Sequence, residues 1–362
     1  MSDSTELTVQ QAREIVLQIA RKKGWISQRA RENSDAETLE ALACVREELG
    51  DAVETYITFN PLPKLHFLLI SFRIARDIYS QKARFVLELI QNAEDNNFTR
   101  ARDLGHDPFI TFEVYPTKII VECNEKGFTE DNVNSICRTG KSSKKYKRGY
   151  IGEKGIGFKS VFQVSSKVHI QSNSFSFSFQ YEEGATAEGV KSEKLGIITP
   201  IWEDELLPLG DRPLTRMTLT PKSNLPYNAL VTQFEDIPDD LLLFLSNIKK
   251  LAVKIHYPDE RVTVTTFHKS VDSITKMTSL IKTTKDPDDP EPSVKEDRYY
   301  IVTRPMSGLP VDNARPDIDE CEVVLAFPLE PQSSSPRIGM QNVFAFLPIR
   351  KVGFSVSSPN SN

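Results

Sequence analysis

Two short segments carry residues suited to handling a polyphosphate. The first is RFVLELIQNAEDNNF, residues 84–98. At about 100° per residue, Phe85, Val86, Leu89, Ile90 and Ala93 gather on one stripe of a helix, and Glu88, Asn92 and Asp95 gather on another. The polar face combines a carboxylate able to orient water, an amide oxygen able to ligate a hard cation, and a second acid. Mg²⁺ needs few such oxygens, because it keeps waters and takes further ligands from phosphates. Standing alone, the same spacing also describes an amphipathic helix with a solvated polar face.

The second segment is GYIGEKGIGFKSVFQVSSKV, residues 149–168, in which Gly149, Gly152, Gly155 and Gly157 run into a helical pattern with Val161, Phe162 and Val164. Glycines allow positive φ and close backbone approach. The N–H groups at the start of the following helix favour phosphate. The order is GxxGxG and no strand leads into it through a short turn, which argues against a dinucleotide fingerprint. GKSS at 140–143 imitates the end of a P-loop, but the required first glycine falls on Ser135, so that motif is rejected.

Between the two lies VECNEKGFTEDNVNSICRTGKSSKKYKRGY, residues 121–150. A strand is expected to end at Cys123, a turn to contain Gly127, and a helix to begin at Thr129 with Glu130 and Asp131 in its first turn. Lys141, Lys144, Lys145, Lys147 and Arg148 then crowd a polar stretch that reads as a solvated loop or a local basic patch.

The elements that must hold these segments are legible from periodicity. Residues 8–59 read as helical, with Val16, Ile15 and Ile19 at helical spacing, and another helix is expected over 64–79. FITFEVYP with TKIIVECN, and KVHIQSN with SFSFSFQY, read as hairpins, and TRMTLTP as a further strand. DDLLLFLSNIKKL, from 239, reads as a helix. After about 255 successive antiparallel strands are expected, interrupted by KDPDDPEPSVKED (285–297), whose proline and acid content predicts a disordered loop. The 362 residues are 39% hydrophobic and 26% charged with a formal net charge of -5. That suits a globular chain of about two domains and disfavours a broadly basic nucleic-acid binder. No apolar run approaches the roughly 18 residues of a membrane span. The start has no basic region followed by an apolar one, and four scattered cysteines form no disulfide framework or zinc spacing. An intracellular location, cytoplasm or nucleus, is expected.

ELIQNAEDN and GEKGIGFKSVF, in this order, resemble the N box and a glycine-bearing box of the GHKL or Bergerat-fold ATPases, which include gyrase, heat-shock chaperones and histidine kinases. NEKGF, the basic segment and DDLLLFLSNIKKL are similar to sacsin and no-vein type proteins. The resemblance implies an α+β chain: a helical extension over 1–59, a Bergerat ATPase sandwich over 60–255 (an antiparallel mixed sheet backed by helices), and a partial transducer-like β-rich domain over 256–362.

The resemblance also implies roles. Glu88 would be the general base that positions water, and Asn92 would ligate Mg²⁺. Asp95 would lie at the nucleotide rim. Gly152, Gly155, Gly157 and Phe158 would cradle phosphate, with Lys159 opening the helix below it. Ser142 and Lys144 would belong to a lid, and Thr215 would contact the base. The family box for the base reads Asp-x-Gly-x-Gly. With Gly127 as its second glycine, the acid position holds Cys123 and the first glycine position Glu125. A thiol is a poor acceptor, so Asn124 or Glu125 would stand in. The implied function is Mg²⁺-dependent ATP binding with slow hydrolysis, used as a conformational switch for protein association. The output would be a partner or client of unnamed identity, or a homodimer formed on ATP binding. The competing reading is a degenerate nucleotide-binding or protein-interaction module, favoured by Cys123 and by the polar end SVSSPNSN.

Overall fold

A computed structural model describes residues 7–23, 33–35, 84–137, 157–181, 194–206, 215–308, 320–331, 335–337, 340–345 and 347–353. Residues 24–32 and 36–59 of the expected helical stretch, the helix expected over 64–79, the basic segment, and Ser142, Lys144, Gly152 and Gly155 lie outside these residues.

Helix α1 (Val9–Lys22) starts at a capping box: Thr8 accepts from the Gln11 amide, and the Gln11 side chain reaches back to the Thr8 N–H. It buries Ala12, Val16, Ile19 and Ala20 and packs on the hairpin side of the sheet. Helix α2 (Arg84–Glu94) is the amphipathic element expected from its spacing. Helix α3 (Thr99–Asp103) is short. Helix α4 (Glu130–Ile136) begins at Thr129 through a second capping box, with Asn132 in the answering position. Helix α5 is Tyr227–Glu235.

The strands are β1 (Phe109–Val114), β2 (Ile119–Cys123), β3 (Ser165–Ser172), β4 (Phe175–Gln180), β5 (Ile201–Trp202), β6 (Thr215–Pro221), β7 (Lys250–His256), β8 (Val262–Val271), β9 (Met277–Lys285), β10 (Ser293–Ser307) and β11 (Glu320–Pro328). All join one mixed sheet in the order β11-β10-β9-β8-β7-β1-β2-β6-β3-β4-β5. β12 (Met340–Ala345) and β13 (Leu347–Gly353) form a separate antiparallel hairpin. β1 and β7 run parallel, and the sheet continues across residue 255 from β7 into β8. The architecture is α+β: a large mixed sheet with few helices.

Alternation sets the faces. In β1 and β2, Ile110, Phe112, Val114, Ile119, Val121 and Cys123 are buried while their neighbours are half-exposed. The buried face meets α2 and α5, where Phe234 contacts both Phe85, edge-on with ring centroids 5.8 Å apart, and Phe112, at 5.4 Å.

Two expectations are corrected. DDLLLFLSNIKKL is not an α-helix: a 3-10 turn at Leu241–Phe244 leads into β7. Leu241, Leu242, Leu243, Leu245 and Ile248 are all buried, so the run has no polar face to leave in water. Residues 285–297 are a loop only in part, over 286–292. β9 ends at Lys285 and β10 begins at Ser293, with Ser293–Asp297 in register opposite Leu280–Thr284. The charges that argued against a core lie at the surface of a hairpin, where Lys295 bridges Asp239 and Asp297.

One buried acid fixes α2 to the sheet. Glu94 is 3% exposed. Its carboxylate accepts three backbone N–H groups, from Ser246 at 2.6 Å, Asn247 at 2.7 Å and Ile248 at 2.9 Å. The Asn247 side chain donates to the Glu94 carbonyl at 2.9 Å. Burial raises the Glu94 pKa, against the lowering effect of the three N–H donors and of Lys269. Glu94→Gln replaces one accepting oxygen with a donor facing those amides. It should lower unfolding free energy by roughly 2–3 kcal/mol, read from the urea midpoint at neutral pH. An unchanged midpoint would contradict the tether.

Candidate functional site

A cleft, about 750 Å³ with the open solvent at its mouth included, lies between α2, α4 and the buried face of the sheet. Leu89, Asn92, Ala93, Asp95 and Asn96 come from α2 and the turn after it; Asn132, Ser135 and Ile136 come from α4. The sheet supplies Ile110, Val121, Cys123, Thr215 and Met217. Glu125 and Phe128 come from the loop after β2, and Phe158 comes from the 3-10 helix Gly157–Gln163.

Helical spacing puts Asn92 and Asp95 on the cleft side of α2. The Asn92 Nδ2 is buried and finds no hydrogen-bond partner among the described residues. A buried amide nitrogen left unpaired costs about 1–3 kcal/mol. Glu88, one turn earlier, is half-buried and does not line the cleft.

At the floor, Thr215 Oγ1 donates to Glu125 Oε1 at 2.6 Å. Ser172 Oγ lies 2.6 Å from Thr215 Oγ1 and accepts from the Phe128 N–H at 2.8 Å. The backbone turn that permits this needs Gly127. Its φ is +91°, and a Cβ there would lie 2.1 Å from the Asn173 side chain, which closes the β3–β4 turn above it. The Asn173 amide reaches the carbonyls of Lys126 and Phe128.

The cleft therefore gathers Asn92, Asp95, Glu125, Phe128, Phe158 and Thr215. Besides Glu88, two residues expected at the site do not line the cleft. Asn124 points to the opposite side of β2, where its amide accepts from the Phe109 N–H at 2.8 Å and donates to the Asp107 carbonyl at 2.9 Å. Its role is to brace the start of β1. Lys159 is 4% exposed, and its ammonium donates to the carbonyls of Ile136, at 2.7 Å, and Ile197. It lies against the rings of Phe158 and Phe179. Gly157 opens the 3-10 helix. Cys123 lines the cleft, and burial first, then the Glu125 and Glu94 charges, raise its pKa well above the ordinary value, so it stays a neutral thiol. Ser172 was not singled out by sequence; its only signal is a small polar residue at the end of an alternating strand, one turn away from Gly127 in space.

Residues 73–179 match the family model of the Sacsin domain. The chain is 30% identical over 292 residues to Protein NO VEIN of Arabidopsis thaliana, a match covering 77% of this chain and 10% of that protein. The chain thus spans about a tenth of the length of this relative. Both matches support a chain of the sacsin and NO VEIN type. No helix among the described residues is long and apolar enough to cross a membrane.

Burial lowers the Lys159 pKa to about 8 from the ordinary 10.5. Between these values the unfolded chain holds a proton that the folded chain has released. Stability from this group is therefore complete above about pH 10.5 and is lost as pH falls through about 8. The expected gain is on the order of 3 kcal/mol across that window. It should be absent from Lys159→Met when urea midpoints of the two proteins are compared from pH 7.5 to 10.5. Parallel pH profiles would show that Lys159 titrates normally.

Proposed function

We propose that this chain is a GHKL-type, Mg²⁺-dependent ATP-binding unit of Bergerat-fold architecture, with slow hydrolysis that serves as a switch for protein association. The observation that carries the reading is the Asn92 amide, buried on a helix wall without a partner and opening on a cleft whose far end is an apolar floor with two polar atoms. One end suits phosphates and the other a flat heterocycle. Supporting this are the Sacsin-domain match, which spans α2, the loop after β2 and the glycine-bearing segment, and the order of the two motifs.

The residues present fit a metal-bound nucleotide. No cluster of three or more His, Cys, Asp or Glu side chains suited to a metal exists among the described residues. A Mg²⁺ ion shared with phosphates does not need one. Asn92 would give its amide oxygen to the ion and its orphaned N–H to a phosphate oxygen. When bound, Mg²⁺ supplies charge neutralisation at the phosphates. Asp95 and Asn96, at the end of α2, would border the sugar. Glu88 lies four residues before Asn92 on the same helical face, and in this reading it orients the attacking water. Phosphoryl transfer asks mainly for such positioning and for charge stabilisation. What the switch contacts, a partner chain or a second copy, follows from the same proposal; nucleic acid is disfavoured by the net charge of -5.

Calorimetric titration with MgATP tests binding. Asn92→Ala should weaken MgATP by about tenfold or more and abolish the difference between titrations with and without a chelator. Equal wild-type affinity with and without Mg²⁺ would remove Asn92 from the metal. Glu88→Ala should retain affinity and lose turnover on the order of 10²-fold. A wild type that binds MgATP without turnover above background would instead favour the degenerate-module reading, in which nucleotide acts only as a ligand.

A further inference from the structure

One ammonium caps two helix ends behind the cleft. The last carbonyls of a helix have no partner within it. Ile136 is the last residue of α4, and Ile197 the last of a 3-10 helix, Lys194–Ile197. Lys159 Nζ donates to both of their carbonyls. Its charge suits the negative ends of both helices. It also lies against the rings of Phe158 and Phe179, 5.5 and 4.9 Å from their centroids. The titratable or charged groups facing it are the Cys137 thiol, just after α4, and Lys23, just after α1, while β4 presents only the Phe179 ring. Two of the groups it holds, Ile136 and Phe158, line the cleft.

Resting on the nucleotide reading above, we propose that Lys159 is a positioning residue of the cleft: its charged ammonium holds Ile136 and Phe158 in the arrangement a ligand needs, and loss of its proton weakens ligand binding. Lys159 touches no ligand itself, being buried behind the Phe158 ring. Burial brings its pKa down to about 8, so the proton leaves within an accessible range. The neutral amine keeps two N–H groups, enough to reach both carbonyls, but hydrogen bonds from a charged donor are about twice as strong. The effects on fold and on ligand therefore have opposite sign. Raising the pH through about 8 relieves a buried charge and stabilises the folded chain, while it slackens the hold on the cleft wall.

The test titrates MgATP into the full chain at pH 7.5 and 9.5, where the terminal phosphate is already ionised. Wild-type affinity should fall at least about threefold across this window while the urea midpoint rises. Lys159→Arg keeps its charge throughout, and Lys159→Met has no proton to lose. Neither should show the fall, and Lys159→Met should bind no better at either pH than wild type does at pH 9.5. Equal wild-type affinity at the two pH values overturns this inference and leaves the nucleotide reading standing. So does a fall that persists in either variant, folded by circular dichroism. If one variant does not fold, the other decides; if neither folds, the wild-type ratio alone decides. Failure of MgATP to bind wild type at pH 7.5 overturns both proposals.

Discussion

The position of the cleft depends on the three backbone amides that hold Glu94. Helix α2 carries the Asn92 and Asp95 side chains, but its apolar stripe only presses it against the sheet, and hydrophobic contact is not directional. The Glu94 carboxylate adds direction. It binds the N–H groups of Ser246, Asn247 and Ile248 just before β7, and β7 pairs in parallel with β1, the strand that carries Ile110 into the cleft. The end of the helix is thereby registered against the sheet floor it faces. A carboxylate in a buried site is costly unless its charge is met by donors; here three amides meet it, and Lys269 lies close enough to contribute.

The two walls then do different work. The helix wall is polar and incompletely satisfied, with the Asn92 amide nitrogen unpaired. The sheet floor is apolar and satisfied, its one carboxylate and two hydroxyls linked into a chain that ends on the Phe128 amide. Hydrogen-bond chains of this kind hold their members in one arrangement. The helix wall thus keeps one polar atom unpaired, while the floor is held in a single hydrogen-bonded arrangement. Lys159 belongs to neither. Its burial behind Phe158, on carbonyls of Ile136 and Ile197, ties the end of α4 to the 3-10 helix and the segment before β5.

Much of this was legible in the sequence because it depends on local period. The α2 stripe, the Thr129 cap, both hairpins and the β6 strand follow from spacing of two or 3.6 residues and from turn chemistry. The Thr215 and Phe158 assignments came through motif resemblance, and both side chains do line the cleft. What was not legible depended on partners far along the chain. Leu241–Leu245 has helical spacing only because it is apolar throughout, and such a run does not distinguish a helix from a buried turn and strand. The 285–297 segment carries loop composition, yet pairing with β9 and ion pairs to Asp239 draw its second half into a strand. Glu94 lies about 20° round the helix from buried Leu87, so an acid on the apolar side was visible. Its amide partners, some 150 residues on, were not.

Strand parity explains which side of the sheet the residues after Cys123 face. Residues 119, 121 and 123 of β2 all face the cleft side, and the buried alternation continues through Glu125 and Gly127. Moving a carboxylate by one position, to 124, turns it to the opposite side of the sheet. There Asn124 is already engaged with Phe109 and Asp107. Moving it by two keeps the face and advances the side chain past the strand end, where the longer Glu stem can turn back to Thr215, itself opposite Cys123 in the β2–β6 register. The left-handed conformation at Gly127 lets the backbone turn there without a Cβ striking Asn173. Cys123 and Glu125 thus share one face of the sheet, and the acid side chain turns back to Thr215 there.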